Sequence, residues 1–442
     1  MLQPTPAFSS VRLLPLVLVA LAHLVAGCGA SRPDIVVITL DTLRRDHVGA
    51  YGWSGPGPSP TPRLDAFAPQ ARVFEGALTT MPTTSPAHAS LFTGLAPRDH
   101  GVLRNGDVVR EGVGTRRSLP LLLKGAGYQT AAFVTARVFG PSPIGLAGFD
   151  RYEPEGPRPG SAAVAAALEW LDRRDRAPVF LWVHFYDPHA PYGSAEDKRE
   201  RYPVDLRDYG WVDVERYREA ERRTVMAESY AAGVRDADTA VGQLLDGLAA
   251  RGLAPLLAIV ADHGEFLAER LERTGFAYGH GSLLGSEVLS IPLFLAGPRI
   301  APGRVDGAVS IMDLYTTLLH AAGIEDPDAA AEGRMDLSDQ PPPGRIVAAA
   351  RRAFPTQALT HRGLSAEAVS HMRAQAVAVS NGSELFIVGD DGRPLGALGP
   401  RDLALGPAAV AFLATHPGGE VGEAPTLDAE TRERLRMLGY VD

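Results

Sequence analysis

Three short segments of the chain carry apolar runs with the length and composition of strands buried on both faces. They are Asp34-Ile35-Val36-Val37-Ile38-Thr39-Leu40, Val179-Phe180-Leu181-Trp182-Val183 and Leu256-Leu257-Ala258-Ile259-Val260-Ala261. Helical periodicity lies between them, for example over Ser161 to Leu171 and Ser229 to Leu248. Strands alternating with helices predict an α/β fold, a doubly wound, mostly parallel sheet flanked by helices. Sheets of this kind bind ligands at the carboxyl ends of their strands. The first run ends in Asp41, the second in His184 and the third in Asp262-His263-Gly264. Three strand ends that each deliver an Asp or a His are the first functional signal.

The pattern changes past the loop Ser338-Asp339-Gln340-Pro341-Pro342-Pro343-Gly344. Ala374 to Val379 and Glu384 to Val388 flank Ser380-Asn381-Gly382-Ser383. This predicts a hairpin, because Asn-Gly tolerates positive φ at both turn positions. A last helix is predicted from Asp428, a good N-cap, to just before Gly439. The chain therefore divides into a main domain over 33–335 and a small C-terminal α+β subdomain with an antiparallel sheet over 345–442.

Composition narrows the classes. The chain has 442 residues, 45% of them hydrophobic, and a formal net charge of -9. That suffices for one large core with a smaller attached domain. The mild acidity argues against a nucleic-acid partner, which normally meets a basic face. At the N-terminus an apolar stretch from Val11 to Val25, broken by Arg12 and His23, ends in Leu24-Val25-Ala26-Gly27-Cys28. It is short for a membrane-spanning helix of ~20 residues and reads as a signal sequence. The small residues before Cys28 resemble a bacterial lipoprotein cleavage box, in which the cysteine receives acyl chains. Residues 1–28 are then a lipoprotein signal, and the protein is exported and lipid-anchored, by default at the outer membrane facing the periplasm. The alternative is an ordinary secretory signal with an incidental cysteine. Cys28 is the only cysteine, so there is no intramolecular disulfide and no catalytic thiol.

The candidate chemistry lies in short blocks, each of which has a bland reading alone. Asp41 closes a strand, and Thr84 in Thr83-Thr84-Ser85-Pro86-Ala87-His88 has the setting of an N-cap, with Pro86 in the first helical turn. In order along the chain stand Asp41-Thr42-Leu43-Arg44-Arg45-Asp46-His47-Val48-Gly49-Ala50-Tyr51-Gly52, Thr84-Ser85-Pro86-Ala87-His88-Ala89-Ser90-Leu91-Phe92-Thr93-Gly94, Asp187-Pro188-His189-Ala190-Pro191-Tyr192, Ala261-Asp262-His263-Gly264-Glu265, and Tyr278-Gly279-His280-Gly281 followed by Ile291-Pro292-Leu293. Together they resemble the sulfatases of the alkaline phosphatase superfamily, and Leu435 to Val441 is similar to the tail of many bacterial members.

The resemblance implies one divalent cation held by Asp41, Asp262 and His263 and shared with Thr84, whose hydroxyl the ion activates as nucleophile. The helix start after Thr84 would favour an anionic ester through its free N–H groups. His189 and His280 fall on catalytic positions, contacting the ester oxygens or protonating the leaving group. His88 stands where the family usually carries Arg and, with His184, is expected to bind substrate. Thr42 stands where many sulfatases have a second Asp, and His263 where they usually have Asn. One fewer carboxylate and one more imidazole favour zinc or manganese over calcium or magnesium. A second ion is left open, with His184, Asp187 and His280 as the residues that would contribute.

The departures bear on the substrate. Sulfatases oxidise a Cys or Ser at the signature position to formylglycine. Threonine would give a ketone instead of the aldehyde, and Ser85 lies one position off. The family's Gly-Lys-Trp-His block after Ala-Gly-Tyr has no counterpart, since Ala126-Gly127-Tyr128 runs into Phe133-Val134-Thr135-Ala136. The expected activity is therefore hydrolysis or transfer of phosphate mono- or diesters through a covalent phosphothreonine, on a small-molecule or polymer substrate. The alternatives are a true sulfuric ester hydrolase and a non-catalytic, surface-anchored binding protein. The polar insertion from Tyr192 to Thr224 is expected to lid the site or to lie solvated beside it.

Overall fold

The structure is a computed structural model that describes residues 32–139, 144, 146–154, 156, 158–196, 219–353, 364–373 and 375–389. The signal segment with Cys28, the central part of the 192–224 insertion and the helix expected from Asp428 lie outside the described residues. Among those residues no helix is long and apolar enough to cross a membrane.

Thirteen strands are described. They begin with β1 (Ile35–Leu40), β2 (Arg72–Leu78), β3 (Gln129–Val134), β4 (Arg151–Glu153), β5 (Val179–Phe185) and β6 (Leu256–Ala261). A two-stranded ribbon, β7 (Phe266–Leu267) and β8 (Tyr278–Gly279), follows, then β9 (Leu293–Ala296) and β10 (Gly303–Ser310). The main sheet has eight strands in the order β10-β2-β9-β6-β1-β5-β3-β4. Only β9 runs antiparallel to its neighbours; every other pairing in this sheet is parallel.

The central strands follow from composition. β1 reads IVVITL and β6 LLAIVA, and every residue of both is buried. A strand covered on both faces has no use for alternation, and each buried Val, Ile or Leu contributes about 1.5–3 kcal/mol. The helices form two packed groups. One comprises α1 (Pro62–Phe67), α4 (Gly160–Asp172) and α5 (Ala220–Ala250), and the other α2 (Thr84–Thr93), α3 (Leu119–Gly125) and α6 (Asp313–Ala321). α5 starts nine residues earlier than its apolar periodicity does, so Ala220 to Thr224 of the polar insertion are helical.

After α6 come β11 (Val347–Arg351), α7 (Ala366–Arg373), β12 (Ala376–Ser380) and β13 (Leu385–Gly389). The three strands form a small antiparallel sheet in the order β11-β12-β13. The expected hairpin is present, its four-residue connection shifted by one position to 381–384. Only Gly382 takes positive φ, while Asn381 works through its side chain, accepting the Ser383 and Glu384 amides at 3.1 and 2.9 Å. The small sheet is tied to the main body where β11 donates Ala350 N–H to Thr80 O at 2.8 Å.

Candidate active site and metal centre

Register brings the predicted strand ends together. β6, β1 and β5 are adjacent, with Leu40 opposite both Ala261 and Phe185, so the chain leaves the sheet at Asp41 and Asp262 side by side. β5 runs on through His184 to Phe185, which puts His184 inside the strand as the register partner of Thr39. Thr84 enters from α2. It is the first residue of that helix, all ten of whose residues are buried; the cap position is Thr83, which makes no side-chain capping bond.

Asp41, Asp262 and His263 are fully buried and offer ligand atoms all within 4.8 Å of one another. His263 Nε2 lies 3.8 Å from Asp41 Oδ1, 3.5 Å from Asp262 Oδ2 and 3.3 Å from Thr84 Oγ1. His263 Nδ1 faces the Gly264 carbonyl at 2.9 Å. A carbonyl only accepts, so that nitrogen carries the proton and Nε2 presents a lone pair to the cluster. Asp262 Oδ1 accepts the amides of Thr42 and His263 at 3.2 and 2.8 Å, while Oδ2 has no hydrogen-bond partner. A buried carboxylate oxygen without a donor costs free energy unless a cation meets it. Two carboxylates, a bare imidazole nitrogen and a hydroxyl therefore fit a divalent cation.

The electrostatics agree. Burial, and then the neighbouring Asp41, raise the Asp262 carboxyl well above its usual range. Burial, followed by His280, holds the His263 imidazole well below its usual value. A cation would relieve the first strain and be accepted by the second group.

Two further histidines line the cluster. Burial by itself would lower His280, but the Glu265 carboxylate at 3.2 Å, with Asp41 and Asp262, outweighs it and raises the imidazole above its ordinary value. The His280 ring lies 4.3 Å from that of His263 and 5.2 Å from that of His189. His189 stacks on Tyr186 and directs Nδ1 to Ala190 O at 2.7 Å, which leaves Nε2 as an acceptor.

His88 and His184 border the cluster as well, with His184 Nε2 3.3 Å from Asp41 Oδ2 and His88 Nδ1 3.7 Å from Asp262 Oδ2. Both are fully buried and turned to Thr39, at 3.1 and 2.8 Å respectively. Burial lowers both rings, His184 to about 3. The helix start is also less open than expected, because the Ser85 amide is taken by Asn105 Oδ1 at 2.9 Å and Pro86 has none. Of the residues expected to contribute to a second ion, Asp187 caps α4 by accepting Gly160 N–H, and His280 is paired with Glu265. Among the described residues a single group of metal-binding type gathers, and it is the first one.

Several parts of the site have no role that the sequence assigns. Glu265 and Thr39 are fully buried beside the histidines they serve. Thr42 adopts φ 57°, rare for a β-branched residue. Tyr230 holds it there, donating to Thr42 O at 2.7 Å and accepting Arg44 N–H at 2.9 Å. The visible signal for Thr39 is a lone hydroxyl inside an apolar strand, and for Glu265 its place directly after Asp262-His263-Gly264.

The family model described as Sulfatase matches residues 33–324. The chain belongs to the sulfatase family. An ulvan-active sulfatase of Formosa agariphila is 26% identical over 345 residues, covering 70% of this chain and 65% of that protein. A choline-sulfatase of Rhizobium meliloti is 26% identical, covering 66% of this chain and 68% of its own length. Human N-sulphoglucosamine sulphohydrolase is 32% identical over 173 residues, and the match spans only 34% of that protein. Sulfatase-type folds recur among solved structures. A protein in complex with its substrate D-glucosamine-2-N,6-O-disulfate superposes with a TM-score of 0.62 at 17% identity, covering 92% of this chain and 98% of the other. The phosphonate monoester hydrolase of Agrobacterium radiobacter does so with a TM-score of 0.60 at 20% identity, covering 92% and 94%.

Proposed function

We propose that this sulfatase-family chain hydrolyses or transfers phosphate mono- or diesters through a covalent phosphothreonine at Thr84. The observation that carries the reading is the nucleophile position itself. A threonine hydroxyl stands 3.3 Å from His263 Nε2 beside two buried carboxylates, and neither cysteine nor serine occupies its place. A ketone derived from threonine lacks the aldehyde hydrate that attacks sulfate, whereas an alcohol attacks phosphorus directly.

A divalent cation held by Asp41, Asp262 and His263 would supply Lewis-acid stabilisation of the oxyanion and favour the ionised Thr84 oxygen. In the first displacement Thr84 gives up its hydroxyl proton to solvent, Oγ forms a bond to phosphorus and the bond to the ester oxygen breaks. His280, kept protonated by Glu265, gives its proton to that leaving oxygen. In the second, His189 Nε2 takes a proton from water as the water oxygen bonds to phosphorus. The phosphorus–Oγ bond then breaks, Thr84 recovers its hydroxyl by taking the proton that His189 removed from water, and His280 is reprotonated from solvent. The substrate is a small-molecule or polymer ester, met by an exported protein anchored through acylated Cys28.

The test pairs aryl phosphate mono- and diesters with aryl sulfate. Phosphate esters are expected to turn over faster. Thr84→Ala is expected to lower kcat by about a thousandfold or more, and acid quenching to trap phosphothreonine in the wild type. Full phosphodiesterase activity in Thr84→Ala would remove Thr84 as nucleophile. The sulfatase names of the relatives favour sulfuric ester hydrolysis as the second reading, and turnover of aryl sulfate alone would establish it.

A further inference from the structure

Thr39 is a fully buried hydroxyl one residue before the end of β1. Three side chains meet it: Trp182 Nε1 donates to Oγ1 at 2.9 Å, and His184 Nδ1 and His88 Nε2 lie at 2.8 and 3.1 Å. A hydroxyl has one proton and two lone pairs, and an indole N–H only donates. Trp182 therefore fills one lone pair. Of the two imidazoles one donates to the remaining lone pair and the other receives the proton, which saturates the hydroxyl.

Each ring then has one nitrogen left. His88 Nδ1 faces the carbonyl of Thr84 at 2.8 Å, and His184 Nε2 faces Asp41 Oδ2 at 3.3 Å. The Thr84 carbonyl only accepts, so His88 Nδ1 carries its proton, His88 Nε2 takes the Thr39 proton and His184 Nδ1 donates to Thr39. This leaves His184 Nε2 packed against Asp41 Oδ2 as a close contact that is a hydrogen bond only when one of those two atoms carries a proton. The rings are also held by packing. They meet edge to face at 4.9 Å, and Phe139 stands edge-on to both at 4.9 and 5.2 Å. Every ring nitrogen of the pair is packed against a protein atom, so neither ring reaches a substrate without breaking these contacts.

We infer that Thr39 is the hub of a positioning network, His88–Thr39–His184, that sets Asp41 against Thr84, and that both histidines act through those two residues instead of on substrate. Asp41 ends a strand and Thr84 begins a helix, so their spacing depends on cross-links between the two elements, and a misplacement of about 1 Å costs about a hundredfold in rate. The inference rests on the proposed reading of Asp41 as a ligand and Thr84 as nucleophile.

Thr39→Val keeps the shape and removes the hub, and Thr39→Ser restores the hydroxyl. Two quantities are measured: the zinc dissociation constant by competition with a chromophoric chelator, and kcat and KM on an aryl phosphate diester. Thr39→Val is expected to weaken zinc binding and lower kcat by about tenfold or more, as loss of a supporting partner does, with KM unchanged. Thr39→Ser is expected to restore both. Wild-type zinc affinity and kcat in Thr39→Val overturn the inference, as does a raised KM at unchanged kcat, which would put the histidines on substrate. If Thr39→Val does not fold, His184→Asn is measured on the same quantities; it keeps an amide donor toward Thr39 and loses the atom facing Asp41, and wild-type values overturn the inference equally. Weakened zinc binding in a chain without phosphodiesterase activity leaves the network standing and removes the phosphate reading.

Discussion

The acid–base behaviour of the site turns on Glu265, which closes the block Ala261-Asp262-His263-Gly264-Glu265 but has no role that the sequence assigns. Glu265 lies 3.2 Å from His280, and its carboxylate is the largest influence opposing the burial that would otherwise discharge that ring. An imidazole held above its ordinary value stays protonated further into the alkaline range, where a general acid is needed for the leaving oxygen. Replacing the carboxylate by an amide removes the opposing charge and leaves burial in control. Glu265→Gln is therefore expected to move the alkaline limb of the kcat profile to lower pH, with the greatest loss of activity on the alkaline side. A profile displaced upward or left in place in a folded variant would break the link between Glu265 and His280. The other site residues differ in how readable they are. Asp41, Asp262 and His263 are visible in sequence because each follows an apolar run, where a polar side chain has few structural uses. Thr39 is not, because its partners lie on β5 and α2, and strand register is not written in local spacing.

At the scale of elements, the segment leading to Thr84 is braced by the small sheet. β11 bonds to Thr80, and the hairpin loop meets the main sheet through backbone alone. A Cβ on Gly382 would come within 2.5 Å of Gly307 C, and one on Gly76 within 2.5 Å of Gly382 Cα. Gly382 also sits at φ +101°, a conformation that L side chains avoid. Gly382→Ala is expected to cost about 3 kcal/mol, from strain and overpacking together, and to lower the thermal midpoint by several degrees. Gly344→Ala separates the two causes. It shares positive φ, at +74°, but a Cβ there meets nothing within 4 Å, so only about 1 kcal/mol is expected. Equal midpoints for the two variants would dismiss the contact. β11 itself is hard to read beforehand: Val-Ala-Ala-Ala-Arg has little β propensity, and pairing with β12 decides its conformation. The central strands are legible because burial on both faces demands continuous β-branched and apolar residues. β9, four residues long and reversed, becomes a strand only in the gap between β2 and β6.

For the whole molecule, the metal centre ties stability to pH. The Asp262 carboxyl is raised in the folded state by burial and by Asp41. A carboxyl raised on folding stabilises the protein while protonated; that contribution is present at low pH and is lost as pH rises through the folded value. In the metal-free protein this carboxyl opposes the rings of His88, His100, His184 and His263, which burial holds below their usual value and which stabilise the fold as pH rises through the ordinary histidine range. A cation removes the Asp262 penalty, because it binds the ionised carboxylates and the neutral His263 ring, both of which become available as pH rises. At a hundred times its dissociation constant a bound ion adds about 2.7 kcal/mol, or about 5 °C in the midpoint of a domain of this size. Thermal midpoints measured at pH 5 and pH 7.5, with a chelator and with zinc, are expected to show a small zinc increment at the lower pH and about 5 °C at the higher. Asp262→Asn should remove the increment, since it deletes a ligand, and with it the penalty that ionising this buried carboxyl imposes on the metal-free protein. A zinc increment that is the same at both values, or that survives in Asp262→Asn, would mean that the ion stabilising the fold sits away from Asp41, Asp262 and His263.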